Sequence, residues 1–181
     1  MSRNYKFHNK EGLYFVSFAV VYWIDVFVRE MYCEKIIESL TYCQKEKGME
    51  IAAWCIMPSH IHLIFRAKNS NPSDLIRDFK RHTSKEIQKT IVENIQESRK
   101  EWMLWMMERA GKKNSNVKKR QFWQQHNKPI ELWSNEVIEQ KIDYIHNNPV
   151  ITGFVTDVCD WKYSSAKTFA GEKGMLELFE L

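Results

Sequence analysis

The sequence predicts an α+β fold in which an antiparallel sheet carries helices on one face. Three apolar segments rich in aromatic and β-branched residues predict strands at 13–24, 50–57 and 60–67. A helical pattern separates the first two strands, and another follows the third. This order is the beginning of a ferredoxin-like βαββαβ domain, here with a helical extension and a C-terminal tail. The fourth strand is expected in 121–133 or in 150–158.

Composition and charge limit the classes of protein to consider. The chain has 181 residues, 44% of them hydrophobic and 28% charged, which suits one domain over 1–181 with its core at about 12–170. The formal charge of +4 is mildly basic, and Lys and Arg concentrate in 77–89 and 109–120. Such clusters favour a polyanionic partner.

The cysteines and the apolar N-terminal run indicate the compartment. The four cysteines show no paired spacing, which favours buried thiols in a reducing environment. The apolar run 14–28 is too short to span a bilayer and contains Ser17 and Asp25. We therefore expect a cytoplasmic protein without a membrane partner.

Capping residues mark the helices. Gly48 is expected to end a first helix over 30–47. Asn71 and Pro72 begin a second helical region, which is predicted to continue to about Arg109. The Met- and Trp-rich part of this region, 93–110, is either an extension of the core or a face for a homodimer. A last helix is predicted over 135–147, with Ser134 as its N-cap and Pro149 beyond its end.

Two histidines in the third predicted strand raise the question of a metal site. His60 and His62 are two residues apart, so they project from the same face, while Ile61 projects into a core. Two adjacent imidazoles can chelate one divalent ion, or they can form a polar strip beneath a helix. The pattern alone leaves both interpretations open.

A second motif, "KIDYIHNNPV" at 141–150, supplies matching chemistry. Tyr144 and Asn148 are four residues apart and share one face of the last helix. If that face meets the histidines, Asn148 completes a metal site with His60 and His62. Tyr144 then lies beside the ion as a nucleophile. The alternative is that Tyr144 is a half-buried aromatic residue and Asn148 a helix cap.

Three motifs together resemble the single-tyrosine HUH transposases, and most closely the REP-associated tyrosine transposases. The motifs are "WCIMPSHIHLIF" (54–65), "SDLIRDFKRHTS" (73–84) and "YIHNNPVITGFV" (144–155), with "YSSA" at 163–166. The resemblance spans roughly 12–170.

The resemblance implies an enzyme that cleaves and rejoins single-stranded DNA through a 5′-phosphotyrosine intermediate. His60 and His62 correspond to the metal ligands, Asn148 to a polar third ligand and Tyr144 to the nucleophile. Mg²⁺ or Mn²⁺ is the implied cofactor. The implied partner is single-stranded DNA with imperfect, REP-like hairpins, which implies a nucleoid-associated location in a bacterium. A catalytically silent DNA-binding module of the same fold is the alternative function, and a zinc site of His60, His62 and His146 is a further one.

Basic residues in two regions are candidates for DNA contact. The second helix is predicted to bury a stripe of Leu75, Phe79, Thr83 and Ile87. One basic set recurs at helical spacing on the opposite side, and a solvated charged face is its alternative explanation. The other set lies at the end of the basic loop 111–120, where neighbouring aromatic residues suit the stacking of bases. The DNA-binding candidates are Arg77, Lys80, Arg81, Lys85, Lys118, Lys119, Arg120 and, for stacking, Trp123.

Overall fold

The computed structural model describes residues 6–115, 117 and 119–181. In this part of the chain four strands and five α-helices follow one another, and the first five of these elements have the predicted order of strand, helix, strand, strand and helix. The elements are β1 Tyr14–Ala19, α1 Glu30–Lys47, β2 Met49–Met57, β3 His60–Ala67, α2 Pro72–Glu93, α3 Lys100–Lys112, β4 Ile130–Glu131, α4 Asn135–Ile151 and α5 Ala166–Phe169.

The four strands form one antiparallel sheet in the order β2-β3-β1-β4, which confirms the predicted α+β class and the ferredoxin-like topology. β2 and β3 form a hairpin around Pro58 and Ser59, as expected. β4 has only two residues, paired with Tyr14 and Phe15, and lies in the first of the two predicted regions.

The first face of the sheet is covered by α1 and α2. The predicted stripe of Leu75, Phe79, Thr83 and Ile87 on α2 is buried in this core. Asn71 caps the helix, because its side chain accepts a hydrogen bond from the backbone N–H of Ser73. Ile61, Leu63 and Phe65 of β3 project into the same core, so residues at the intervening positions project from the other face.

The second face is covered by α4, which lies outside the βαββαβ unit, whose own helices α1 and α2 share the first face as predicted. Ile142 and Ile145 of α4 pack against Phe15, Ala53 and Ile64 of the sheet. These strand side chains make the second face apolar as well, and an apolar face requires a covering layer. The placement brings α4 against the face from which His62 projects.

The predicted strand 13–24 ends early. β1 stops at Ala19, and Val21–Trp23 and Val26–Val28 are short 3-10 turns. The physical reason is that Tyr22 and Trp23 have positive φ angles of 54° and 57°, which no strand accommodates. The chain therefore turns away from the sheet just after β1.

The long second helical region is divided into α2 and α3 by an ion-pair cluster. Glu97 is buried in the connection, 2.7 Å from Arg29 Nε and 3.2 Å from Arg99 Nε. Tyr32 also donates a hydrogen bond to its carboxylate. Because a buried carboxylate needs these partners, the chain leaves the helical path to reach them.

The core-extension interpretation fits the inner side of α3. Met103 and Met107 are buried in the core on the α1 and α2 side. Trp102 and Trp105 are exposed on the outer side of the helix. The homodimer remains a prediction.

α4 extends four residues past the predicted end and includes Pro149. The proline lies in the last turn, where it removes the one hydrogen bond that a backbone N–H at this position would donate to the carbonyl of Ile145. Ser134 caps the beginning as predicted, accepting from the backbone N–H of Val137. The extension keeps Asn148 in helical geometry, one turn after Tyr144.

The C-terminal segment covers the outer edge of β2. Cys55 and Ser164 form an antiparallel bridge, and the N–H of Ile56 donates to the carbonyl of Tyr163. Further along the edge, the N–H of Phe179 donates to the carbonyl of Ile51. This tail, for which the sequence predicts no element, therefore supplies backbone partners to an edge strand.

Among the described residues, no helix combines the length and the apolar character that crossing a bilayer requires.

Candidate active site

The two histidines lie at the beginning of β3 and converge on one point. Both project from the sheet face that α4 covers, as the alternation along the strand predicts. His62 is buried at 3% exposure, whereas His60 is partly exposed. Their Nε2 atoms are 3.1 Å apart. The chain has therefore placed the Nε2 edges of two imidazoles against each other, at a distance that is a hydrogen bond when one of the two nitrogens carries a proton.

Burial keeps both imidazoles neutral at pH 7. It lowers the pKa of His60 to about 4 and that of His62 to about 3, the latter with smaller contributions from His60 and from the charge of Lys141. A neutral imidazole offers an unprotonated nitrogen, which is the form that binds a metal. The pair is therefore in its ligand form without the help of an acidic partner.

Asn148 brings a third polar group to the histidines. Its Nδ2 lies 3.3 Å from His62 Nε2, although the two residues are 86 positions apart in the chain. Its Oδ1 is buried and has no hydrogen-bond partner among the described residues. A rotation of the amide by half a turn would exchange the two atoms and direct the unpaired oxygen at the histidines.

This donor set fits a divalent ion. Two nitrogens bound at right angles to one ion, each at about 2.1 Å, lie roughly 3 Å apart, close to the observed 3.1 Å between the Nε2 atoms. The unpaired Asn148 oxygen supplies a third donor. Ser59 Oγ lies 3.2 Å from His60 Nδ1 and helps to orient that ring.

Tyr144 lies beside the histidine pair on the same face of α4 as Asn148. Its ring centre is 5.2 Å from that of His62 and 6.0 Å from that of Phe15, in edge-to-face contacts. The side chain is 43% exposed, so a substrate can reach it. The structure therefore brings together all four residues that the sequence assigned to the chemistry.

Lys141 is a nearby cation that the sequence analysis missed. Its Nζ lies 5.5 Å from the ring centre of Tyr144 and 5.3 Å from that of Phe15. Lys141 and Tyr144 are three residues apart on one helix and therefore lie on the same face. The spacing rule that linked Tyr144 to Asn148 would also have identified Lys141. An ammonium group at this position gives the site a positive charge beside the tyrosine.

His146 does not join the metal site, so the three-histidine zinc site is wrong. Its Nε2 is 2.8 Å from Ser165 Oγ, on the side of α4 away from Tyr144. Among the described residues no group of three His, Cys, Asp or Glu side chains is placed to hold a metal. The two imidazoles and one amide are a different donor set from a three-histidine zinc centre.

Comparison with known families agrees with this geometry. The family described as "Transposase IS200 like" matches residues 12–109, which include the histidine pair. The chain belongs to the IS200-like transposase family. Membership implies an activity in DNA cleavage and transfer. The match ends before α4, so the assignment of Tyr144 and Asn148 depends on the geometry described above.

Individual relatives support the family. A protein of Haemophilus influenzae named as a REP-associated tyrosine transposase is 25% identical over 165 residues, which cover 91% of this chain and 85% of the relative. The solved structure of a REP-associated tyrosine transposase bound to a REP hairpin has a TM-score of 0.67 at 18% identity, over 100% of this chain and 95% of that one. It shows that the fold is shared.

A crystal structure described as a transposase of Deinococcus radiodurans has a TM-score of 0.44 at 18% identity, over 81% of this chain and 95% of that one.

Four of the residues predicted to contact DNA line one surface groove of this transposase. The groove has a volume of about 330 Å³ and lies between α2 and the end of the basic loop. Its basic lining residues are Arg81, Lys85, Lys119 and Arg120. Arg77 lies outside this groove, exposed and paired with Asp74 and Asp78. Lys118 lies outside the described residues.

The prediction that Lys80 contacts DNA is not supported. Its Nζ donates to the carbonyl of Gln124 at 2.8 Å and to Asn127 Oδ1 at 2.6 Å. Burial lowers its pKa to about 8. The ammonium group therefore joins α2 to the chain segment that runs alongside it, and it is not directed at solvent.

The prediction that Trp123 stacks on bases is also wrong. The side chain is 5% exposed and packs against Phe18 and Phe27. Its Nε1 donates to Thr83 Oγ1 at 3.1 Å. A bridge with Val20 draws this residue into the core, where no base can reach its ring.

Proposed function

We propose that this chain cleaves and rejoins single-stranded DNA that carries imperfect hairpins, through a covalent bond between Tyr144 and a 5′ phosphate. The observation that carries the proposal is the position of the Tyr144 ring, 5.2 Å from His62, on a helix that also delivers Asn148. The REP hairpin bound to the similar transposase of known structure supports this class of substrate.

In the proposed reaction, the hydroxyl of Tyr144 loses its proton and its oxygen forms a bond to the scissile phosphorus. The bond from phosphorus to the 3′ oxygen breaks, and that oxygen takes up a proton to become a free hydroxyl. The energy of the broken bond is kept in the phosphotyrosine. A 3′ hydroxyl from another strand reverses the step and joins the strands without a nucleotide cofactor.

His60, His62 and Asn148 are the residues that would hold the ion. A bound Mg²⁺ or Mn²⁺ supplies polarisation of the scissile phosphate, which lowers the barrier to attack by an anionic oxygen. Two imidazoles favour Mn²⁺ over Mg²⁺, which prefers oxygen ligands. The neutral imidazoles bring no charge of their own, so the site remains attractive to the phosphate.

Lys141 would complete the charge of the site. A phosphodiester carries a negative charge, and its transition state carries more. The Lys141 ammonium is 5.5 Å from the centre of the nucleophile's ring and extends over it, where it can pair with a phosphate oxygen. Lys141→Met should therefore slow cleavage more than Lys141→Arg, which keeps the charge.

The test is adduct formation on a denaturing gel. The protein is incubated with labelled single-stranded hairpin DNA from the flanks of its own gene, with Mn²⁺, with Mg²⁺ and with chelator. We expect a metal-dependent covalent adduct that disappears in Tyr144→Phe and in His60→Ala. Tyr42→Phe is the matched control, because Tyr42 is an exposed tyrosine on α1, on the opposite side of the sheet.

Binding of these hairpins without any adduct would overturn the proposal in favour of the silent DNA-binding module. An adduct that survives in Tyr144→Phe would assign the nucleophile elsewhere. An adduct that forms equally well in the presence of chelator would show that the reaction does not need a metal.

A further inference from the structure

Two consecutive aromatic residues after β1 adopt a conformation that side chains rarely take. Tyr22 and Trp23 have φ angles of 54° and 57°, in the left-handed region. For residues other than glycine, asparagine and aspartate this region is unfavourable, because Cβ approaches the following carbonyl oxygen. Residues kept in such a conformation cluster at functional sites, where neighbouring contacts hold them.

The neighbouring contacts are present. The N–H of Val20 donates to Ser59 at 2.9 Å, and that of Val21 donates to Phe122 at 2.8 Å. Val20, Val21 and Ile24 are all buried, so the turn is anchored on both sides. The two aromatic side chains project outward from this anchored turn, with Tyr22 43% and Trp23 58% exposed.

The exposed indole lies beside the proposed catalytic centre. The ring centre of Trp23 is 5.3 Å from that of His60, with the two planes at 76°. His60 contacts His62, and His62 contacts Tyr144, at centre distances of 4.7 and 5.2 Å. Trp23 therefore contacts the His60 end of the histidine pair, and Tyr144 contacts the His62 end.

We propose that Trp23 is a stacking site for the base of a nucleotide next to the scissile phosphate. The inference rests on the proposed function, because it takes the histidine pair as the place where the phosphate lies. Every base has a face that can stack on an aromatic ring, and exposed tryptophans serve this purpose in proteins that bind single strands. One exposed ring with a neighbouring tyrosine is too small for a stable protein interface, which needs about 800 Å² from each partner.

Stacking at this position holds the strand without reading its sequence. It would fix the nucleotide on the His60 side while Tyr144 attacks from the His62 side. The strained turn lowers the stability of the fold and in return exposes the ring at this position. A substitution that relieves the strain should therefore keep or raise the stability while it weakens DNA binding.

The first test is the fluorescence of 2-aminopurine, which falls when the base stacks. The analogue is placed in turn at each unpaired position beside the hairpin, and the strand is bound to Tyr144→Phe protein so that no cleavage occurs. We expect one position at which fluorescence is quenched, and restoration of the signal when Trp23→Asn is added. Trp133→Ala is the control, because Trp133 is an 81% exposed tryptophan before α4. Quenching that does not depend on Trp23 at any position would overturn the inference.

The second test compares stability with affinity. Asparagine tolerates the left-handed region better than tryptophan, so Trp23→Asn should leave the Tm unchanged or raise it. The affinity for the strand should fall roughly 5- to 150-fold, and Mn²⁺ affinity should not change. If the Tm or the Mn²⁺ affinity falls instead, Trp23 supports the fold or His60 and the inference is overturned.

The two proposals fail separately. If no covalent adduct forms but Trp23-dependent quenching persists, the stacking site stands and the cleavage reaction is wrong. If the adduct forms and Trp23→Asn changes neither the quenching nor the affinity, only the stacking site is wrong.

Discussion

His146 Nε2 lies 2.8 Å from Ser165 Oγ, and this contact fixes the rotation of α4 about its own axis. The same hydroxyl accepts a hydrogen bond from the backbone N–H of Trp54 at 2.9 Å. One serine thus joins α4, the C-terminal segment and β2. Because His146 lies two residues from both Tyr144 and Asn148, fixing it on one side of the helix directs those two residues to the other.

Ser165→Ala should destabilise the protein by about 2–6 kcal/mol, which is about 1–3 kcal/mol for each of two polar groups. The substitution leaves a buried backbone donor and a buried imidazole without a partner, and each such loss costs on that scale. The measurement is the free energy of unfolding in urea. Ser98→Ala is the control, because Ser98 is exposed, and it should change stability by less than about 0.5 kcal/mol. Equal effects of the two substitutions would show that the contact does not stabilise the fold.

Asn148→Asp should bind Mn²⁺ more tightly than the wild type, and Asn148→Leu more weakly. A carboxylate adds a charged oxygen at the position of the unpaired Oδ1, whereas leucine removes the third donor. Isothermal titration with MnCl₂ measures both affinities without any reaction. If all three proteins have the same affinity, Asn148 is not a ligand and acts as a helix residue only.

Glu97→Gln should cost about 1–3 kcal/mol, because it removes the buried carboxylate that pairs with the partly exposed guanidinium groups of Arg29 and Arg99. Burial alone would raise the pKa of Glu97, but the contacts with Arg99 and Arg29 outweigh it and lower the pKa below 4.5. The stabilisation is therefore complete above pH 4.5 and is lost as the pH falls through the folded-state pKa.

The measurement for Glu97 is the difference in unfolding free energy between the wild type and Glu97→Gln, followed from pH 7 to pH 3. The difference should shrink on acidification. A difference that stays constant over this range would show that the carboxylate charge is not responsible.

Arg81→Gln and Lys119→Gln should each weaken the binding of hairpin DNA and reduce its salt dependence. Both residues are exposed and line the basic groove, so each would release about one counterion on contacting a phosphate. Lys173→Gln, at an exposed lysine in the C-terminal segment, is the control and should leave the salt slope unchanged. If the salt dependence of binding is the same for all of these proteins, the DNA does not contact this groove.

The sequence predicted the elements whose signals are local. The stripe of α2 and its Asn71 cap depend on spacing within one helix, and the structure shows both. The proximity of His62 and Asn148 was also predictable. The strand pattern defined the face of His62, the helix pattern defined the face of Asn148, and both side chains are possible metal ligands.

The errors concern residues whose surroundings come from a distant segment. Lys80 looks like a surface residue in the sequence, but the segment after the basic loop runs alongside α2 and covers it. Trp123 belongs to that segment and is buried against Phe18 and Thr83. The early end of β1 was equally hidden, because β-branched and aromatic residues continue past Ala19 and nothing in their pattern shows a left-handed turn.

The C-terminal segment that runs along β2 has a consequence for the behaviour of the protein in concentrated solution. An uncovered edge strand offers unpaired N–H and C=O groups to the edge of another molecule. β2 is nine residues long and almost entirely buried, so without residues 163–179 it would present a long, flat, apolar edge. The segment that anchors His146 therefore also keeps neighbouring copies from joining sheet to sheet, and removing only its last part, which pairs with Ile51, should lead to aggregation before it affects the chemistry.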